Sequence, residues 1–196
     1  MDTVLEGGFA DPVHEAQRAF RAILGALANP GQVQDLPVPA VAHVHLSGEF
    51  VSTLLTLTDH DTPIWLADCY PREALSSYIG FHTGAPVVAD PARAQFAFSE
   101  GASLPRLDAF NLGSQEYPDR STTIVVEVPT LTGGAELTLS GPGIKTTITI
   151  CPQGLPGDFV AQWAANRDLF PRGVDLLLVS GGQVIGLPRS TRIREA

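Results

Sequence analysis

The run Asp59-His60-Asp61-Thr62 sets two carboxylates and an imidazole between two apolar segments. Such a set can bind a divalent metal or move protons. The same residue types also suit a plain turn. Asp and Thr side chains bond nearby backbone N–H groups, and Thr62-Pro63 can open a strand. His43 and His45 share one face if their segment is extended. With His60 they could form a zinc site, but no HExxH or CxxC spacing supports one. His82 follows Phe81 where a helix is expected to end. There it can meet terminal carbonyls or face a pocket as an acid or base. Near the C-terminus, Leu187-Pro188-Arg189-Ser190-Thr191-Arg192 joins two arginines to two hydroxyls. That set can grip a phosphate or a partner's carboxylate, or lie solvated as a tail.

Other motifs fail their tests. Gly141-Pro142-Gly143-Ile144-Lys145 lacks the GxxxxGK[ST] spacing of a phosphate loop and reads as a turn before a strand. Gly181-Gly182-Gln183-Val184-Ile185-Gly186 leads into a strand, so it is no dinucleotide fingerprint. No GxSxG selects a hydrolase nucleophile. The chain has 12 Lys+Arg, and Lys145 is its one lysine, so Schiff-base chemistry has a single candidate.

Composition narrows the classes further. With 196 residues and 44% hydrophobic residues, one domain over 1–196 is expected. The net charge of -9 argues against nucleic-acid capture by the whole surface. No apolar run is long enough for a membrane span, and the acidic N-terminus lacks the basic start of a secretory signal. Cys69 and Cys151, far apart and outside any CxxC, fit free thiols in a reduced, cytoplasmic protein. The 19 glycines and 16 prolines predict many turns, not disorder.

These residues must be placed by an alternating set of elements. Residues 12–28 have helical period, capped by Asp11-Pro12 and stopped by Asn29-Pro30-Gly31. Val13, Ala16, Phe20, Ile23, Leu24 and Leu27 predict its inward stripe. Residues 32–48 read as a loop with room for an edge strand. Residues 49–58 predict a helix, 63–67 a buried strand, and 70–81 a second helix. Val87-Val88 and residues 94–98 read as strands, and 103–111 as a short helix. Strands are predicted at 122–128, 136–140 and 145–151, with a helix over 156–169. A hairpin over 174–187 turns at Gly181-Gly182. Helices alternate with strands early, and a meander with one helix follows. The expected class is α/β, a mixed β-sheet covered by helices.

Six blocks in order then carry a resemblance. They are PVHEAQRAFRAILGALANPG (12–31), LLTLTDHDTPIWL (54–66), FHTGAP (81–86), LTLSGPGI (137–144), FPRGVD (170–175) and GLPRST (186–191). Together they resemble the H-subunit family of the bacterial carbon–phosphorus lyase system, which breaks down phosphonates. The resemblance implies a fold like that of pyridoxal-phosphate-dependent transferases, without the cofactor. It implies a homodimer that joins the G, I and J subunits in a core complex. It also implies support for making ribose 1-phosphonate 5-triphosphate from MgATP and phosphonate, with no catalytic residue of its own. Segment 32–48 matches the family poorly. The motif residues Asp59, Asp61, Thr62, His82, Thr83 and Arg189 are expected to line a shared pocket or an interface. An independent small-molecule enzyme, with Asp59, Asp61, His82 and Arg189 in one phosphonate or phosphate pocket, is the competing expectation. Phe9, Tyr70, Tyr78, Phe110 and Tyr117 are candidate interface anchors, if exposed.

Overall fold

A computed structural model describes residues 5–40 and 46–196. In chain order these form α1 (Pro12–Ala28), β1 (Gln34–Asp35), α2 (Gly48–Leu57), β2 (Ile64–Leu66), α3 (Arg72–His82), β3 (Phe96–Glu100) and β4 (Thr123–Glu127). Then follow β5 (Leu137–Ser140), β6 (Ile148–Ile150), α4 (Phe159–Asp168), β7 (Asp175–Ser180), β8 (Gln183–Leu187) and β9 (Arg192–Glu195).

The main sheet has six strands in the order β1-β8-β7-β4-β3-β2. Strands β2, β3, β4 and β7 run parallel, and β8 returns antiparallel. Their near-continuous Val, Ile, Leu and Phe content fits strands covered on both faces. Residues Val125, Leu176, Leu177, Leu178 and Val184 are wholly buried. α3 supplies the long connection that parallel β2 and β3 require. α1 and α2 pack on each other, with α1 against β8 and α2 against β4. The mixed α/β class expected from the alternation is therefore the observed one.

Four expectations are corrected here. The first is the inward stripe of α1. Ile23 is buried and Leu27 packs on the core as expected, but Val13 is 76% exposed, Phe20 46% and Leu24 49%, and Ala19 and Ala26 face the core in their place. Close approach explains this: a Cβ on Gly186 of β8 would lie 2.5 Å from the Ala26 carbonyl carbon. Small residues let the helix backbone rest on the strand, and the larger side chains turn outward.

The second correction concerns the meander. β5, β6 and β9 leave the main sheet and form a separate antiparallel sheet ordered β6-β5-β9. β7 pairs in parallel with β4, across this excursion. The Leu187–Arg192 run is thus no solvated tail: Leu187 ends β8, Thr191 is buried, and Arg192 opens the edge strand β9. Its Ile193 pairs with Leu139 on a buried face.

Third, the helix expected at 103–111 is two 3₁₀ turns, Gly101–Ser103 and Leu107–Ala109. Pro105 between them withholds an N–H and biases Leu104 away from helix. Fourth, the strand expected at 145–151 is only Ile148–Ile150. Gly141 and Gly143 have φ of 139° and 82°, so GPG is a turn, and its exit extends past Lys145. Val87 makes a single bridge to Ile64, and Gln34–Asp35 is the edge strand for which 32–48 left room.

Candidate functional site

The two ends of the parallel strands differ in chemistry. At the amino end, Thr123 of β4 and Asp175 of β7 are neighbours in register. β8 finishes there too, since Leu187 meets Leu176, and this delivers Arg189 onto Asp175. The guanidinium is 14% exposed. Its Nε donates to Asp175 Oδ1 at 3.0 Å, and one terminal nitrogen donates to Asp175 Oδ2 and to Ser121 Oγ at 2.6 Å. The other donates to the carbonyls of Pro118 at 2.7 Å and Pro171 at 3.4 Å. All five N–H donors are engaged. No donor remains for a phosphonate, so Arg189 ties the β8 exit to the start of β7.

The Asp59–Thr62 segment also lies at this end, just before β2. Asp59 Oδ1 accepts from the Asp61 N–H at 3.0 Å and from the Thr62 hydroxyl at 2.6 Å. These bonds hold the fully exposed Asp59 carboxyl below its usual pKa. Asp61 and His60 are 3.3 Å apart and largely exposed. His82 closes α3, and its Nε2 donates to the Leu5 carbonyl at 3.1 Å. Tyr78, one turn earlier, donates to the Gly7 carbonyl, and burial pushes its phenol up to about 12. The structure thus gathers Asp59, Asp61 and Thr62 in one turn, with His60 against Gly84 beside the α3 end. Arg189 stands apart: β3 and β4 separate β2 from β7, about 14 Å at ordinary strand spacing.

The carboxyl end is where open α/β sheets bind ligands. Here β3 and β4 end in register on Glu100 and Glu127. Tyr70, on the turn after β2, donates its hydroxyl to Glu127 Oε2. Ser47, the N-cap of α2, hydrogen-bonds the same carboxyl. Glu49 lies nearby and accepts from the Gly182 N–H in the β7–β8 turn. Burial, helped by the charges of Glu49 and Glu100, lifts the Glu127 pKa despite the lowering hydrogen bonds from Ser47 and Tyr70. Burial and the Glu127 charge raise the Tyr70 phenol well above its normal value, so it stays a donor. A cavity of about 350 Å³ opens beside this pair, lined by Glu100, Gly101, Ala102, Glu127, Val128 and Pro129. Its acidic lining suits hydrogen-bond donors such as amines and repels phosphonates.

Of these carboxyl-end residues the sequence offers only Tyr70, as an interface anchor; Glu100 and Glu127 are not singled out there. The signal was present in FAFSE and TIVVE, two apolar strands that each stop on a glutamate. Among the described residues, no group of three or more His, Cys, Asp or Glu is placed to hold a metal. His43 and His45 lie outside the described residues. Cys69 and Cys151 are not joined in a disulfide. Among the described residues, no helix is long and apolar enough to cross a membrane. Of the anchor candidates, Tyr70, Tyr78 and Phe110 are buried, because each fills the core. Tyr117 is exposed, as are Val33, Phe81 and Phe170.

Fold and edges together define an α/β protein with a mixed sheet, a structural clamp at one end and an acidic cavity at the other. The family described as bacterial phosphonate metabolism protein (PhnH) matches residues 7–194, and the chain belongs to it. Similar over almost its whole length is the alpha-D-ribose 1-methylphosphonate 5-triphosphate synthase subunit PhnH of Rhizobium meliloti (strain 1021). That relative is 48% identical over 97% of this chain and 96% of its own. A putative C-P lyase subunit protein, HtxG, of Stutzerimonas stutzeri is 37% identical over 90% of this chain and 85% of its own.

Proposed function

We propose that this chain is an accessory subunit of a ribose 1-methylphosphonate 5-triphosphate synthase, within a carbon–phosphorus lyase complex of phosphonate catabolism. The observation that carries it is the end-to-end match to a relative named as that synthase subunit. Its role is to support the formation of the ribose phosphonate triphosphate from MgATP and phosphonate, with chemistry supplied by partner subunits. The partners are a second copy of this chain and the G, I and J subunits, in the cytoplasm. The whole of 1–196 acts as one domain, with a sheet of the pyridoxal-phosphate-transferase kind put to assembly rather than cofactor chemistry. In this reading Asp59, Asp61, Thr62 and His82 belong to an interface. Arg189, with every donor occupied, supports the fold behind it.

Support also comes from the surface. α1 presents Val13, Phe20 and Leu24 outward, an apolar stripe on a helix already packed inside. Stable complexes need such faces. The test is co-expression with the G, I and J subunits, with a tag on this chain alone and native mass measurement of the eluate. A complex with two copies of each chain is expected. Recovery of this chain alone, with soluble partners left in the flow-through, overturns the proposal.

A further inference from the structure

Arginines 167, 192 and 194 meet where α4 passes β9. A cavity of about 190 Å³ is lined by Pro142, Arg167, Phe170, Ser190 and Arg192. A second cavity, of about 230 Å³, has Arg167 and Arg192 in its wall as well, together with Arg194, Trp163 and Asp168. Two motifs of unassigned purpose meet in the first: the Gly141-Pro142-Gly143 turn and the Ser190–Arg192 run.

The fold explains the convergence. Trp163 is wholly buried, and its indole N–H donates to the Thr191 carbonyl at 2.8 Å, which fastens β9 to α4. Strand alternation then sets Arg192 and Arg194 on the face away from buried Ile193, opposite Ser140 and Thr138 of β5. Among the described residues, no hydrogen bond or ion pair engages the guanidinium of Arg192 or Arg194. Among the described residues, the Arg167 guanidinium meets Asp168 alone, at 3.7 Å, and its buried Nε has no hydrogen-bond partner. The Thr191 hydroxyl is buried and unpartnered too. Arg189, three residues before Arg192, has every donor occupied. Open guanidinium donors in a chain of net charge -9 suit an oxyanion.

We propose that this paired cavity binds an oligophosphate, with Arg167 and Arg192 at the junction, Ser190 in one lobe and Arg194 in the other. Two lobes that share two arginines match a ligand with consecutive phosphoryl groups better than a single tetrahedral anion. Asp168 gives up its loose contact with Arg167 when the anion enters. The site goes beyond the subunit assignment and does not depend on it.

The test is calorimetric titration of the full chain at fixed ionic strength, with sodium tripolyphosphate, inorganic phosphate, citrate and a nucleoside triphosphate as probes. Tripolyphosphate is expected to bind at least tenfold more tightly than phosphate or citrate. Arg192→Gln, at an exposed position, is expected to weaken it tenfold or more with the melting temperature unchanged. Arg18→Gln on α1 leaves it unaltered. A nucleotide that binds more tightly than tripolyphosphate assigns the ligand as a nucleotide tail. Equal or weaker nucleotide binding assigns a free oligophosphate, and both results support the site. No tripolyphosphate binding, or equal binding by wild type and Arg192→Gln, overturns the proposal. So does phosphate binding as tightly as tripolyphosphate. Citrate binding as tightly also overturns it and points to carboxylates of a partner protein. Complex formation by Arg192→Gln, read by native mass, keeps this outcome separate from the subunit proposal.

Discussion

Arg189 at one end of the main sheet and Glu127 at the other are both drawn out of water, yet they are handled differently. Arg189 spends every donor on protein acceptors, with Asp175 as its charge partner. Among the described residues, no cation acts on Glu127. It is held by Tyr70 and Ser47, faces Glu49 and Glu100, and borders a cavity. The first arrangement is closed and structural. The second leaves a carboxyl whose charge state depends on its surroundings. Burial of a charge therefore says little about function in this fold, whereas the number of unused donors and acceptors says a good deal.

The contrast is sharpest in the response to substitution. Arg189→Ala leaves the half-buried Asp175 without its counter-charge and should cost about 3 kcal/mol in urea denaturation. Arg189→Lys should recover only part, because an ammonium cannot reproduce the fork. Loss of under 1 kcal/mol would break the description of the amino end as a clamp.

Next in size is Asn166, also near that end. Its amide donates to the Val174 carbonyl at 3.0 Å and accepts from the Val174 N–H at 2.8 Å, in a buried setting. Asn166→Ala should cost about 2–4 kcal/mol, since it strands two buried backbone groups. Chemical denaturation with an unchanged slope would check it.

At the carboxyl end, pH is the sharper tool. Glu127 has a native pKa above 4.5, so the native state binds the proton more tightly than the unfolded chain. Its contribution then favours folding below about 4.5 and weakens as pH rises through the native value. Glu127→Gln keeps a hydrogen-bonding group without that dependence. The variant should gain stability relative to wild type between pH 5 and 8, and the difference should vanish near pH 4. A pH-independent difference would contradict the buried, cation-free picture.

The smallest effect belongs to Asp59. Its depressed pKa contributes stability that is present above 3.8 and lost as pH falls through the native value. Asp59→Asn should lower the melting temperature slightly at pH 7, and the difference should shrink as pH falls below 3.8.

Much of this was legible in the chain. Asp11-Pro12 and Asn29-Pro30-Gly31 bracket α1, and the Gly181-Gly182 hairpin was readable from its turn residues. Local signals sufficed because the caps and turns are satisfied locally. The face of α1 was not legible, because the side-chain pattern favours Phe20 and Leu24 while the packing is decided by Gly186, 160 positions or more away in the chain. β9 was hidden because Arg192, Arg194 and Glu195 stay exposed even when paired with β5, which leaves Ile193 alone as an apolar signal. The turn at Asp59 was readable from residue types alone. The saturation of Arg189 was not, since its partners come from residues 118, 121, 171 and 175.

The strand order also bears on how the chain is made. β1 finds its partner only in β8, and β5 finds β9 only in the last residues described. On the ribosome, both sheets stay incomplete until residues 183–195 have emerged. Until then α1 lacks the strand that covers its inner face, so it has two apolar sides open to solvent. Nascent chains stalled before Gln183 should therefore depend on chaperones more than released full-length protein does.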